Sequence, residues 1–216
     1  MTGLRVKICG LREAAHCRAA VEAGAAYLGF VFFPPSPRAV SPEAAASLAL
    51  EAPPGVAKVG LFVDPEDSVL TATLSACPLD FIQLHGEETP ERVAAVRKAF
   101  GLPVMKALPI ASAEDVARIA AYEGAADQIL CDAKPQPGAA VPGGAGQSFD
   151  WSLLSGRRWA RPWMLAGGLT AETLPEAVRR TGALQVDVSS GVERVRGRKD
   201  EGMIRAFLAA AQAIGS

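Results

Sequence analysis

Short apolar runs recur along the chain roughly every 20 to 30 residues, and stretches of helical periodicity lie between them. The runs are 5–10, 27–33, 58–63, 81–84, 103–107, 128–131, 163–166 and 184–188. Val6 and Ile8 alternate with Arg5 and Lys7 in the first, while 27–33 is apolar almost throughout, as a strand covered on both faces should be. Helices are predicted over 12–23, 42–51, 64–76, 90–100, 113–122, 170–180 and 202–214, with a short one starting at Asp150-Trp151. Their starts carry recognisable chemistry: Ser41-Pro42-Glu43 and Asp64-Pro65-Glu66 each place a capping side chain before proline and acid, and Thr170 is a further cap. Glu22-Ala23-Gly24-Ala25-Ala26, Glu123-Gly124-Ala125-Ala126-Asp127 and Thr181-Gly182-Ala183-Leu184 echo one another where a helix ends and a strand begins. Eight such units predict a single-domain (β/α)8 TIM barrel over residues 1–216, with one long loop at about 133–148 after the sixth strand. An open doubly wound sheet would ordinarily carry Gly-x-Gly-x-x-Gly after its first strand, and Gly10-Leu11-Arg12 does not supply it.

Composition narrows the function classes. The formal charge of −1 leaves no excess of positive charge for a nucleic-acid surface. No apolar run reaches membrane-spanning length, and the N-terminus lacks the pattern of a secretory leader. Four cysteines without a C-x-x-C pair suggest a reduced, cytoplasmic protein, and only two histidines argue against a metal centre.

A barrel gathers its strand ends at one mouth. Here those ends bring Cys9, His85 and Asp132 together with Gly167-Gly168 and Ser189-Ser190-Gly191. A thiol and a carboxylate facing one cavity suit a reaction that takes a proton from carbon and gives one to oxygen. Such a thiol needs a pKa below its ordinary value to act near neutral pH. The plainer alternatives are a buried, inert Cys9 and an Asp132 that merely caps a turn. Glycines and serines after the seventh and eighth strands form the usual phosphate cradle of barrels. Arg38 offers a bidentate donor for a second anion, a carboxylate being the natural choice, although a surface arginine needs no such role.

Several stretches carry a resemblance. Lys7-Ile8-Cys9-Gly10, Gly29-Phe30-Val31-Phe32, Ser36-Pro37-Arg38, Gln83-Leu84-His85-Gly86, Asp132-Ala133-Lys134, Gly143-Gly144-Ala145-Gly146 with Phe149-Asp150-Trp151, Ala166-Gly167-Gly168-Leu169, and the run from Val186 to Glu193 are similar to the phosphoribosylanthranilate isomerase family. The resemblance implies an Amadori rearrangement of N-(5-phosphoribosyl)anthranilate to the 1-deoxyribulose 5-phosphate derivative, without cofactor or metal. It implies Asp132 as general acid at the ring oxygen and Cys9 as general base at C2. Arg38 would meet the anthranilate carboxylate, and Asp187 a sugar hydroxyl. Gly167, Gly168, Ser189, Ser190 and Gly191 would hold the phosphate. Gln83 and His85 would line the mouth, and the glycine-rich loop would fold over the substrate. The expected partner is a phosphorylated small molecule, with the chain a monomer or homodimer.

Three other readings compete with this one. Indole-glycerol-phosphate synthase would need a lysine and glutamate at the mouth, for which Lys58 and Lys106 are available. A metal-dependent epimerase would need two histidines, and His16 falls within a helix. A non-catalytic barrel binding a phosphorylated metabolite would need the cradle but neither Cys9 nor Asp132.

Overall fold

The computed structural model of the protein describes residues 3–134, 146 and 148–214. Eight parallel strands close into a barrel in sequence order: β1 (Arg5–Cys9), β2 (Tyr27–Val31), β3 (Ala57–Phe62), β4 (Phe81–Leu84), β5 (Val104–Ile110), β6 (Gln128–Ala133), β7 (Trp163–Leu165) and β8 (Gln185–Val188). Between them run α1 (Ala14–Glu22), α2 (Pro42–Ala49), α3 (Asp67–Ala76), α4 (Pro90–Phe100), α5 (Ala113–Tyr122) and α6 (Leu174–Thr181), and α7 (Glu201–Ile214) follows the last strand. The barrel closes where β1 pairs with β8, in a register that sets Lys7 opposite Asp187.

Local chemistry explains the boundaries. Ser41 and Thr89 accept hydrogen bonds from the N–H groups of Ala44 and Arg92, and Pro42 and Pro90 begin α2 and α4 where a missing N–H costs nothing. Two expected starts are corrected. Asp64 does not cap α3: its backbone is left-handed (φ 45°) and its carboxylate accepts from Glu87 N instead, so the helix starts at Asp67. Thr170 exchanges hydrogen bonds with Thr173, and α6 begins beyond that turn at Leu174. After β6 the short helical element is a 3-10 turn, Trp151–Leu154, with Asp150 capping Ser152 N. An unexpected antiparallel ribbon, β9 (Glu193–Val195) with β10 (Arg198–Lys199), separates β8 from α7. Of the expected long loop, 135–145 and 147 lie outside the described residues.

Strand alternation sorts the interior into two compartments. Val6, Ile8, Leu28, Phe30, Phe62, Ile82, Leu84, Ile129 and Val186 point outward and pack against the helices. Tyr27, Val59, Met105, Ala107, Leu130, Met164 and Ala166 fill the barrel itself, and Cys9, Val31 and Leu61 lie together towards its mouth. Polar side chains share that inner space, with Lys7 and Gln83 wholly excluded from solvent. Gly29 makes room for one of them. A Cβ there would lie 3.1 Å from both Cε and Nζ of Lys7 and 3.0 Å from Cα of Cys9.

Gly29→Ala should therefore destabilise the barrel by roughly 1–3 kcal/mol through overpacking. Calorimetry should show Tm lowered by at least about 2 °C. Gly3→Ala, where nothing lies within 4 Å, is the matched control. An unaltered Tm in Gly29→Ala would mean that the lysine stem can move aside.

Candidate active site

The expected residues, Gln83 and Gly167 excepted, line one pocket at the C-terminal ends of the strands. Cys9, Arg38, His85, Asp132, Gly168, Asp187, Ser189, Ser190 and Gly191 line it, with Val31, Phe33, Leu61 and Val63 forming an apolar wall. That combination suits a ligand with an aromatic or otherwise apolar body and charged ends.

Asp132 sits at the end of β6, where its Oδ1 accepts from Ala133 N at 2.8 Å. Its Oδ2 lies 3.3 Å from His85 Nε2. His85 Nδ1 in turn lies 2.9 Å from Gln83 Nε2. Gln83 is fully buried below the histidine and does not line the pocket, which corrects its expected place at the mouth. It orients His85 from beneath, because residues two apart on a strand share a face.

Across the pocket, Cys9 is nearly inaccessible. Burial pushes its thiol above the ordinary value, the Lys7 ammonium opposes that, the Asp187 carboxylate reinforces it, and Lys199 opposes it again. The expected downward displacement is therefore not what the site imposes on this thiol. Lys7 Nζ donates to Asp187 Oδ1 at 2.9 Å. Asp187 is thus tied to the barrel floor as well as facing the pocket.

The phosphate-type loops meet where Gly191 passes Leu169. A Cβ on Gly191 would collide with the Leu169 carbonyl, so the contact requires glycine. Ser190 and Gly191 open a 3-10 turn (Ser190–Val192), and their N–H groups have no partner within it. Gly168 lines the pocket, whereas Gly167 does not. Gly167 (φ 90°) instead packs so close to the end of β6 that a Cβ would lie 2.7 Å from Ala133 N. Of the glycine-rich loop, Gly146 is described, and its Cβ position is 3.6 Å from Ser190 Oγ. Gly143, Gly144 and Ala145 lie outside the described residues.

Arg38 is not a loose surface cation. Its Nε and Nη2 donate to the two carboxylate oxygens of Glu193 at 2.7 and 2.8 Å, and Glu193 Oε1 also receives Lys199 Nζ at 2.8 Å. Lys199 Nζ bonds the carbonyl and hydroxyl of Ser189 at 2.8 and 3.1 Å, joining Arg38 to the serine loop through the ribbon. Lys7, Lys199 and the buried pairing of Glu193 escaped the reading of single motifs. The available signal was a lysine on the inward-facing alternation of β1. The lysines that kept a synthase reading open lie elsewhere: Lys58 pairs with Asp80, and Lys106 with Glu88. Neither lines the pocket.

Burial alone would hold the Glu193 carboxylate neutral, but Arg38, Lys199 and the Gly197 N–H outweigh it and bring its pKa to about 2. A carboxylate whose pKa falls on folding contributes stability that is complete above its ordinary value of 4.5 and is lost as pH drops towards 2. The stability gap between the wild type and Glu193→Gln should accordingly be widest at neutral pH and narrow through that window. Urea unfolding at a series of pH values measures it. A gap independent of pH would place the loss in packing and not in ion pairing.

The sequence model of the family described as N-(5'phosphoribosyl)anthranilate (PRA) isomerase matches residues 6–210. The N-(5'-phosphoribosyl)anthranilate isomerase of Cereibacter sphaeroides is 62% identical, the alignment covering 98% of this chain and 100% of that one. The crystal structure of the Thermotoga maritima phosphoribosyl anthranilate isomerase superposes with a TM-score of 0.86 at 37% identity, over 97% of this chain and 99% of the other. A further structure of phosphoribosyl anthranilate isomerase, in complex with reduced 1-(o-carboxyphenylamino)-1-deoxyribulose 5-phosphate, gives 0.84 at 36% identity over the same shares. A closed eight-stranded barrel with a thiol, a carboxylate and serine–glycine loops at its mouth, together with these full-length likenesses, places the chain in the N-(5'-phosphoribosyl)anthranilate isomerase family.

Proposed function

We propose that the chain isomerises N-(5'-phosphoribosyl)anthranilate to 1-(2-carboxyphenylamino)-1-deoxyribulose 5-phosphate with Cys9 as general base and Asp132 as general acid. The observation that carries these roles is that the two lie on β1 and β6 yet line one pocket, between a serine–glycine anion loop and Arg38. Asp132 gives its proton to the ring oxygen as the C1–O bond breaks, leaving a protonated imine at C1. Cys9, as thiolate, removes the C2 proton, and the electron pair of that bond forms the enolamine. Gain of a proton at C1 and loss of one from the C2 hydroxyl complete the ketone, so the substrate changes no formula. Solvent then returns a proton to Asp132 and takes one from Cys9.

His85 holds Asp132 from the side at 3.3 Å, and Gln83 holds His85. This chain keeps the carboxyl group aimed at one point of the pocket, which proton transfer over hydrogen-bond distance requires. The phosphate would lie against Gly168, Ser189, Ser190 and Gly191, and Asp187 would accept from a sugar hydroxyl. Arg38 would meet the anthranilate carboxylate where its side chain lines the pocket, while Glu193 holds its Nε and Nη2. Phe33, Leu61 and Val63 offer the anthranilate ring an apolar wall.

The assay follows the fluorescence of freshly generated phosphoribosylanthranilate. Cys9→Ala and Asp132→Asn should each lower kcat by roughly 100-fold or more, the usual scale for loss of a general base or acid. Arg38→Lys should chiefly raise KM, by about tenfold, through loss of a planar bidentate contact. Unaltered kcat in Cys9→Ala would remove the base assignment. Folded wild type without turnover would point to a binding protein or another sugar phosphate.

A further inference from the structure

Neither proton transfer uses Lys7, yet its charged side chain is wholly buried directly below the thiol. An ammonium without water costs several kcal/mol unless it is paired. A hydrophobic residue would fill the space more cheaply. Instead β2 gives up a side chain at Gly29 to admit the lysine stem, and β8 supplies Asp187 across the closing seam. Lys7 and Cys9 stand two positions apart on β1, so both point into the barrel, where the ammonium hydrogen-bonds Sγ. We propose that Lys7 is the positioning residue for the base: its ammonium, anchored by Asp187, is shared with Cys9 Sγ and sets how readily the thiol ionises.

This rests on Cys9 being the base, as proposed above. The arrangement suits a group that must change charge during the reaction. While Cys9 is a thiolate, Lys7 lies between two anions. Once Sγ has taken the C2 proton, Lys7 retains Asp187, so no buried charge is left alone in either state. Among the described residues, the other charged or titratable groups facing the thiol are Lys199 from the ribbon, Arg38 from the loop after β2, His85 from the end of β4, and Asp132 from β6. Lys199 is held by Glu193 and Ser189, Arg38 by Glu193, and His85 and Asp132 by each other. Lys7 alone comes from the thiol's own strand.

The test measures Cys9 itself. Iodoacetamide alkylation of the intact protein is followed against pH, and the Cys9-containing peptide is quantified by mass spectrometry to separate it from Cys17, Cys77 and Cys131. Lys7→Met, which keeps the stem but removes the charge, should raise the alkylation midpoint by about one pH unit or more, a tenfold loss of thiolate at a given pH. Asp187→Asn should lower it, because the ammonium then has only the thiol to serve. Opposite displacements are something a purely structural pair would not produce. A midpoint moved by less than about 0.3 of a unit in Lys7→Met, or moved the same way in both variants, would overturn the proposal. Should Lys7→Met not fold, Asp187→Asn decides: a fall supports the role and an unmoved or raised midpoint refutes it. Retention of turnover in Cys9→Ala would remove the base assignment separately, and the titration would still decide whether Lys7 governs the thiol.

Discussion

Pairing of the first strand with the last is the interaction on which the site depends. The register Lys7↔Asp187 across that seam closes the barrel, and it also brings a buried ammonium and a carboxylate within 2.9 Å from residues 180 positions apart. A slip of one residue in β1 would turn Lys7 and Cys9 out among the helices, and one in β8 would do the same to Asp187, so the floor of the pocket presupposes this closure. The ion pair helps to specify the register in return. Either charge, left alone inside the barrel, would cost more than an ordinary misplaced side chain.

The same logic governs the mouth. Arg38 and Lys199 both bring positive charge to the carboxylate of Glu193, gathering it beside the serine loop. That gathering of positive charge suits a substrate with a carboxylate at one end and a phosphate at the other. The ribbon, which has no place in the minimal barrel plan, is what makes it possible. Glu193 begins β9 and Lys199 ends β10, and the turn between them returns Gly197 N–H to the same carboxylate at 2.9 Å. Gly197 (φ 83°) can come this close because it has no side chain: a Cβ would lie 2.9 Å from the Pro37 carbonyl.

The barrel was legible because its signal is repetition. Each apolar run and each helix could be misjudged by a few residues without altering the count, and the two misjudged starts at Asp64 and Thr170 left the architecture intact. Cys9, Asp132 and the serine loop were legible because strand ends in a barrel share one mouth. Gln83 was misplaced for a specific reason. Sequence order gives its face but not its depth, and one step down a strand separates a group that meets ligand from one that supports it. The pairing of Arg38 with Glu193 was out of reach because 155 residues separate the partners and the ribbon that joins them has weak strand chemistry of its own. Lys7 was visible only as one polar position of an ordinary alternation, and it takes the missing side chain at Gly29 to give it a meaning.

The proposed acid and base sit among different buried charged groups, and this separation bears on how the site can work. Around Cys9 the cluster is Lys7 with Asp187, with Lys199 near by. On the other side, the loop that follows His85 is held by Glu88, whose carboxylate takes Lys106 at 2.6 Å and the N–H groups of Asp64 and Gly86 at 2.9 and 3.1 Å. Glu88 thereby fastens the loops after β3 and β4 to β5, just beyond the histidine. Protonating Cys9 or Asp132 does not strip the other of its partners. The two proton transfers proposed above require that independence, since the acid would have to be charged and the base neutral by the time the enolamine forms. A shared cluster would couple the two ionisations and oppose one step while it favoured the other.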